Sequence, residues 1–321
     1  MNLGALSERL SASPRVQAIV ALVVVIALVL PIVTSGFVTG LLIEAILLGL
    51  FAVAVNIALG YSGLITLAPA FFFGLGAYGL AISTVDYGVS FWVGFVVAVL
   101  LSLVFAIIVG FAPIRRGIGP AYFAMFTLAI GVIGYDFTYV TTSVTGGSNG
   151  KGYVVPPEIL GLDFGEPVVY YYFVLLITIV VMAGIYRLLS SDYGMVLHAI
   201  RQSEHRMRYL GYGTRREKFN AWLISCVLSS FAGALYVGQL GLAAPSLMSF
   251  DLTGEVLIWV VIGGVGTIAG PFIAGFGLTL IEHYLGSIWT EGYLILIGIL
   301  FVSFVFLLPE GIIGFLKERR E

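Results

Sequence analysis

The run Thr145-Gly-Gly-Ser-Asn-Gly-Lys-Gly-Tyr153 carries the residue types of a nucleotide cradle. A phosphate-binding loop needs Gly, four residues, Gly-Lys and then Ser or Thr, because that hydroxyl holds Mg²⁺. Counted back from Gly150, the first glycine position holds Thr145, and the hydroxyl position holds Gly152. Pro156 and Pro157 then restrict the backbone where a helix would have to begin. Gly74-Leu-Gly-Ala-Tyr-Gly79 matches the dinucleotide fingerprint letter for letter. It lies inside an apolar run, with no soluble strand before it and no acid about 20 residues on. Glu158, Asp163 and Glu166 are the acids gathered on one loop, and no base stands with them. His198, His205 and His283 are too scattered for a metal site, and the lone Cys226 excludes an intrachain disulfide. The sequence therefore predicts no catalytic residue, no metal and no cofactor on this chain.

The elements that carry these residues are set by composition. The chain is 60% hydrophobic and 10% charged, against roughly 25% charged residues in a soluble domain. So few charges cannot cover a water-facing surface, and an all-α integral membrane protein is expected. A span needs about 20 apolar residues. Ten crossings are predicted near 16–33, 40–59, 64–83, 90–112, 119–140, 168–189, 219–243, 252–267, 270–286 and 292–309. The third, eighth and ninth are short or rich in Gly and Pro, so broken or re-entrant helices are expected there. The 16–33 run is longer than a signal-peptide core and no small-residue cleavage site follows it, so it reads as an uncleaved span.

Charge placement supports that count. With the N-terminus inside, ten crossings place 14 of the 15 Lys and Arg residues in the cytoplasm, with Lys151 outside. Basic residues stay on the cytoplasmic side during insertion. Both termini are thus expected in the cytoplasm, within one transmembrane domain over 1–321. Two loops exceed what connection requires: residues 141–167 outside and 190–218 inside.

In the inner loop, Tyr193, Leu197, Ile200, Met207 and Leu210 fall at helical spacing, with Arg201, His205 and Arg208 beside them. Gly211 and Gly213 should end that helix, and Thr214 to Glu217 reads as a capping box for the next span. The helix could lie on the membrane with its arginines on anionic headgroups, or dock a soluble partner. Glu204, inside the apolar stripe, favours docking, because an acid gains nothing against anionic lipid.

Intramembrane polar groups are few. Ser62, Gly63, Thr66 and Pro69 could form an unwound stretch beside a solute pathway, though close helix packing explains nearby glycines as well. Asn56 reads equally as helix glue or pathway, and Gly263 to Thr267 reads as a tight turn. Most of Glu44, Asp136, Gln239, Glu255 and Glu282 sit near predicted span ends, and no buried Lys or Arg is expected to pair with an acid, which weakens a proton relay. Gly146, Gly147, Ser148 and Asn149 could meet a solute or a delivery protein through backbone amides. Lys151 is a candidate partner for an acidic docking surface.

The stretch from Tyr193 to Trp222 resembles the cytoplasmic coupling loop of ABC-importer permeases of the branched-chain amino-acid type. The matching residues are Gly194, Leu197, Ala199, Ile200, Arg201, Glu204, Leu210 and Gly211, while Met207 replaces a small residue of the family pattern. Ala58 to Tyr78 is similar to the family's early glycine-rich segment, with Thr66, Ala68 and Pro69 departing from it. The Thr145–Gly150 loop, the Val261–Gly275 turn and the closing Leu307–Gly314 stretch also match. The resemblance implies a permease subunit forming half of a pathway. It implies a second homologous permease, two cytoplasmic ABC ATPases carrying ATP and Mg, and an extracytoplasmic solute-binding protein. It places the chain in a prokaryotic plasma membrane, with lipid and no nucleic acid as partner. Branched-chain amino acids are the implied substrate; urea, short amides or other amino acids are alternatives, and an ion-driven secondary transporter is a rival of another class.

Overall fold

The computed structural model describes residues 27–154, 156–159, 162–288 and 298. Residues 27–33 are helical and break at Thr34 and Ser35. Helix α1 (Gly36–Asn56) runs into a π turn, Ile57–Tyr61, whose Ser62 amide donates five residues back to Ile57. An irregular stretch, 62–68, leads to α2 (Pro69–Val85). Then come α3 (Phe91–Arg116) and α4 (Pro120–Val140). After an outer segment, α5 is Pro167–Leu189. Proline at the first helical position starts α2, α4 and α5, where its missing N–H costs nothing. The inner loop folds as α6 (Asp192–Gln202) and α7 (Glu204–Tyr209). α8 (Thr214–Leu240), α9 (Phe250–Gly263) and α10 (Ala269–Ile288) follow.

Five described helices are long and apolar enough to cross a membrane: α1 with its π turn, α3, α4, α5 and α8. The chain is an all-α membrane protein. α1 and α8 are mostly buried, at 78% and 67% of their most apolar windows, whereas α3, α4 and α5 are 28–33% buried. So α1, α2 and α8 form the centre, and α3 to α5 turn apolar faces outward. At 14 residues, α9 is about 21 Å long, too short for a core of about 30 Å.

Packing at the centre depends on backbone approach. A Cβ on Gly76 of α2 would lie 1.9 Å from the Ser230 carbonyl oxygen, and one on Gly233 of α8 would lie 1.9 Å from that of Phe73. Lipid gives helices no hydrophobic drive to associate, so such contacts and buried hydrogen bonds hold the layer. Trp222 Nε1 donates to the Ala106 carbonyl at 2.9 Å, and the Tyr170 hydroxyl donates to that of Leu235 at 2.7 Å. Gly74 to Gly79 therefore lies in packed helix, with Gly79 against Ala98 of α3.

Several expectations change. The second span begins at Gly36 rather than residue 40, and the helix of the third begins at Pro69 rather than residue 64. The inner-loop helix breaks at Ser203, which is extended (φ −160°) and whose hydroxyl caps α7 through the Arg206 amide. The Thr214 capping box does not form: α8 is preceded by Gly213, and the Thr214 hydroxyl turns instead to Glu204. Residues 16–26 of the first predicted crossing, the tenth apart from residue 298, the closing Leu307–Gly314 stretch and the charged residues near both chain ends lie outside the described residues.

Candidate functional site

Contacts gather the connecting segments into two groups, at two ends of the helix layer. One end, the inner one by the charge-based expectation, gathers the end of α3, the α6–α7 loop, the π turn and the α9–α10 turn. The opposite end gathers Asp86, the segment after α4 and the loop after α8.

At the inner end, Arg201 is the meeting point. It lies on the last turn of α6, and its Nη1 donates to the Gly60 carbonyl of the π turn. The same nitrogen lies 3.5 Å from the Val265 carbonyl in the α9–α10 turn. Its aliphatic stem passes Gly63, 3.4 Å from where a Cβ would sit. Asn56 joins the other two strands of this knot. Its Nδ2 donates to the Thr267 carbonyl at 2.6 Å, and its Oδ1 accepts from the Gly266 amide at 3.0 Å. Gly266 has φ +87°, and a Cβ there would meet the Arg201 guanidinium at 2.7 Å, so only glycine fits. A Cβ on Gly60 would meet Asn56 Oδ1 at 1.9 Å. One arginine and one asparagine thus tie the inner loop, the irregular end of α1 and the turn between α9 and α10.

The remaining inner-loop residues divide by direction. Gly194, Leu197 and Ile200 are buried against this chain, and Ala199 is half-buried. Gly194 packs on the Leu189 carbonyl, 1.9 Å from its Cβ position. Glu204 pairs with Lys218 and, at 2.8 Å, with Arg208, and accepts from the Thr214 hydroxyl at 3.3 Å. Partial burial opposes its ionisation, but hydrogen bonds and charge from Lys218 and then Arg208 outweigh that and hold the carboxyl below its usual range. The acid in the apolar stripe is therefore paired within its own chain. Facing outward are Leu210 (71% exposed), Gly211, Tyr209 (90%) and Met195 (60%). Met195 and Tyr209 were not singled out from sequence; nothing in their spacing marks them.

Ser62 and Thr66 are buried in the irregular stretch, and Ser62 Oγ donates to the Ala58 carbonyl at 2.7 Å. That stretch rises along α4, where the Leu67 amide donates to Thr127 Oγ1 at 3.0 Å. Gly146, Gly147, Ser148 and Asn149 lie at the opposite end, so the structure does not bring the two groups of predicted pathway residues together. The outer segment is knitted rather than loose. Strand β1 (Lys151–Gly152) pairs antiparallel with β4 (Leu242–Ala243), and β2 (Glu158–Ile159) pairs with β3 (Leu162–Asp163). Thr145 Oγ1 lies within hydrogen-bonding distance of the Thr138 and Thr141 carbonyls, at 2.7 and 2.6 Å. Lys151 pairs with Asp86 of this chain, so the charge expected to meet a foreign acid has a local partner. Ser148 and Asn149 are exposed, beside Tyr153, which is 93% exposed and takes φ +66°. An aromatic residue in the left-handed region is an outlier of the kind found where a ligand or partner is met. The Glu158 and Asp163 side chains lie outside the described residues.

Between α1, α8, α9 and α10 lies an open cavity of about 860 Å³. Glu44, Asp251, Glu255, Glu282 and His283 line it together with apolar residues such as Leu48 and Trp259. The Tyr236 hydroxyl donates to Glu44 Oε1 at 2.6 Å, and His283 Nε2 lies 3.4 Å from Glu44 Oε2. Glu44, the Asp251–Glu255 pair and Glu282 stand on three helices, α1, α9 and α10, whose packing brings them to one space.

A layer of packed apolar helices, a loop knotted to their irregular ends and an acid-lined cavity define a multi-pass membrane protein. The family model described as "Branched-chain amino acid transport system / permease component" matches residues 37–305, and the chain belongs to that family. The family is a transport permease component, not an enzyme. The chain is 29% identical over 297 residues to the high-affinity branched-chain amino acid transport system permease protein LivM of Escherichia coli K12, covering 85% of this chain and 68% of that protein. It is 27% identical over 221 residues to the probable ABC transporter permease protein y4mJ of Sinorhizobium fredii, covering 64% of this chain and 63% of that one. It is 24% identical over 149 residues to the probable branched-chain amino acid transport permease protein LivH of Methanocaldococcus jannaschii, covering 43% and 46%. No solved structure matches.

Proposed function

We propose that this chain is one of two permease subunits of an importer for branched-chain amino acids, moved by two cytoplasmic ATPases that bind ATP and Mg. It crosses a prokaryotic plasma membrane ten times with both termini inside, and receives its solute from an extracytoplasmic binding protein. The observation that carries this reading is the Arg201 knot. A loop on the basic, inward end holds the irregular end of α1 and the α9–α10 turn at once, so a shift of the loop reaches both. The ATPases would seat on the outward face of α6 and α7, at Met195, Tyr209 and Leu210. Binding and hydrolysis there bias the permease between two states, as any ligand with different affinities for them must. At the other end, Ser148, Asn149 and Tyr153 would meet the binding protein. The cavity lined by Glu44, Glu255 and Glu282 suits a solute with an ammonium group and an aliphatic side chain.

The acids in that cavity also give an ion-driven transporter one observation in its favour. Reconstitution separates the two readings. With both permeases, both ATPases and the binding protein in proteoliposomes, uptake of leucine should require ATP and ignore a proton or sodium gradient. Gradient-driven uptake by the permeases alone would sink the ATPase-driven reading.

A further inference from the structure

A second charged cavity, of about 700 Å³, opens at the inner end between α3 and α8. Phe111, Arg115, Arg208, Tyr212, Arg215 and Arg216 line it. Arg208 is paired with Glu204. Among the described residues, Arg115, Arg215 and Arg216 have no carboxylate within salt-bridge distance. Two of them are held in place. The Arg115 guanidinium stacks over the Phe111 ring at 4.8 Å, and Arg215 Nη1 donates to the Arg115 carbonyl at 2.9 Å. Arg215 and Arg216 also begin α8, where the positive end of the helix adds to their charge instead of offsetting it. The cavity thus concentrates uncompensated positive charge.

The helix face leading to it supplies the other half of the argument. Val104, Ile107, Ile108 and Phe111 of α3 are 52%, 40%, 66% and 46% exposed. Their spacing makes one stripe along the helix, and Arg115 continues it one turn further on. An apolar track that ends in a basic pocket at the membrane's inner face has the shape of a phospholipid: tails along α3, phosphate among the arginines. Basic pockets of this kind at the cytoplasmic side bind anionic headgroups.

We infer that the α3–α8 cavity is a binding site for an anionic phospholipid of the inner leaflet, with Arg115 and Arg216 holding its phosphate. The test uses the full chain purified in detergent and followed by native mass spectrometry. Dioctanoyl phosphatidylglycerol, dioctanoyl phosphatidylcholine and inorganic phosphate are the probes. Phosphatidylglycerol should bind in preference to phosphatidylcholine. The pair Arg115→Gln with Arg216→Gln should weaken it about 30-fold, from about fivefold for each basic group near an anionic headgroup. The pair Arg115→Lys with Arg216→Lys should retain most of the binding, which separates lost charge from lost fold. Arg206→Gln, an exposed change on α7 outside the cavity, should leave it unaltered. Equal binding of both lipids, or a glutamine pair that still binds phosphatidylglycerol like the parent, overturns the site. Inorganic phosphate displacing the lipid at equal concentration overturns the lipid assignment in favour of a free anion. A glutamine pair with normal lipid binding that no longer assembles with the ATPase subunits overturns it in favour of a protein partner.

Discussion

At the residue scale, the inner knot depends on the hydrogen-bonding groups of Arg201 and Asn56. Arg201→Ala removes the donor to Gly60 and Val265. Leucine uptake per ATP hydrolysed by the reconstituted complex should fall at least about tenfold, the loss of roughly 1.4 kcal/mol of coupling. Arg201→Lys should recover only part of it, because one ammonium cannot reproduce the planar fork. Unchanged coupling in the alanine variant would remove Arg201 from the transmission path. Glu204 makes a separate prediction. Its carboxyl is held below the usual range by Lys218 and Arg208. The stabilisation is therefore present above the ordinary carboxylate pKa and is lost as pH falls through the folded value. Glu204→Gln should lower the melting temperature in detergent at neutral pH, and that difference should shrink toward zero in acid. A difference that persists in acid would mean shape, not charge, is at stake.

At the element scale, close approach and irregular backbone do the positioning. Gly233→Ala puts a methyl 1.9 Å from the Phe73 carbonyl oxygen, a backbone atom that cannot swing away. It should destabilise the chain by about 1–3 kcal/mol, read as a lower melting temperature in detergent. Asn56→Leu leaves the Gly266 amide and Thr267 carbonyl without partners. Because these groups are only partly buried, it should cost about 1 kcal/mol for each, and a melting temperature within error of the parent's would refute the role given to Asn56. Much of this scale could be read in advance. Apolar length marked the long spans, and glycine or proline marked the irregular third and the short eighth, but not the ninth, which is an unbroken 20-residue helix despite its glycines. The break at Ser203 could not, since serine caps a helix only where the chain has already turned. Which glycines touch backbone, and that Asn56 reaches residues more than 200 positions away, depends on helix neighbours that periodicity does not name.

At the scale of the whole molecule, the resemblance read from the sequence is borne out: the chain belongs to the permease family. The candidate site was less legible. Arg201 stood out by resemblance, but its direction, inward to Gly60 instead of outward to a partner, needed the fold. The acids Glu44, Glu255 and Glu282 read individually as span-end residues and share a cavity only once α1, α8, α9 and α10 pack. That cavity makes a prediction at this scale. Glu282→Gln should raise the leucine concentration for half-maximal uptake severalfold while leaving ATPase assembly intact; an unchanged value would exclude the cavity from the route.

The π turn at Ile57–Tyr61 holds one surplus residue, and the Gly60 carbonyl that would have to rejoin an ordinary helix is occupied by Arg201. Were that oxygen released, the extra residue could migrate along α1, and each position it passed would swivel by about 100°. Such a change is a click between registers, not a gradual bend. Amide hydrogen exchange confined to residues 57–64, faster when Arg201 is replaced, would be its signature.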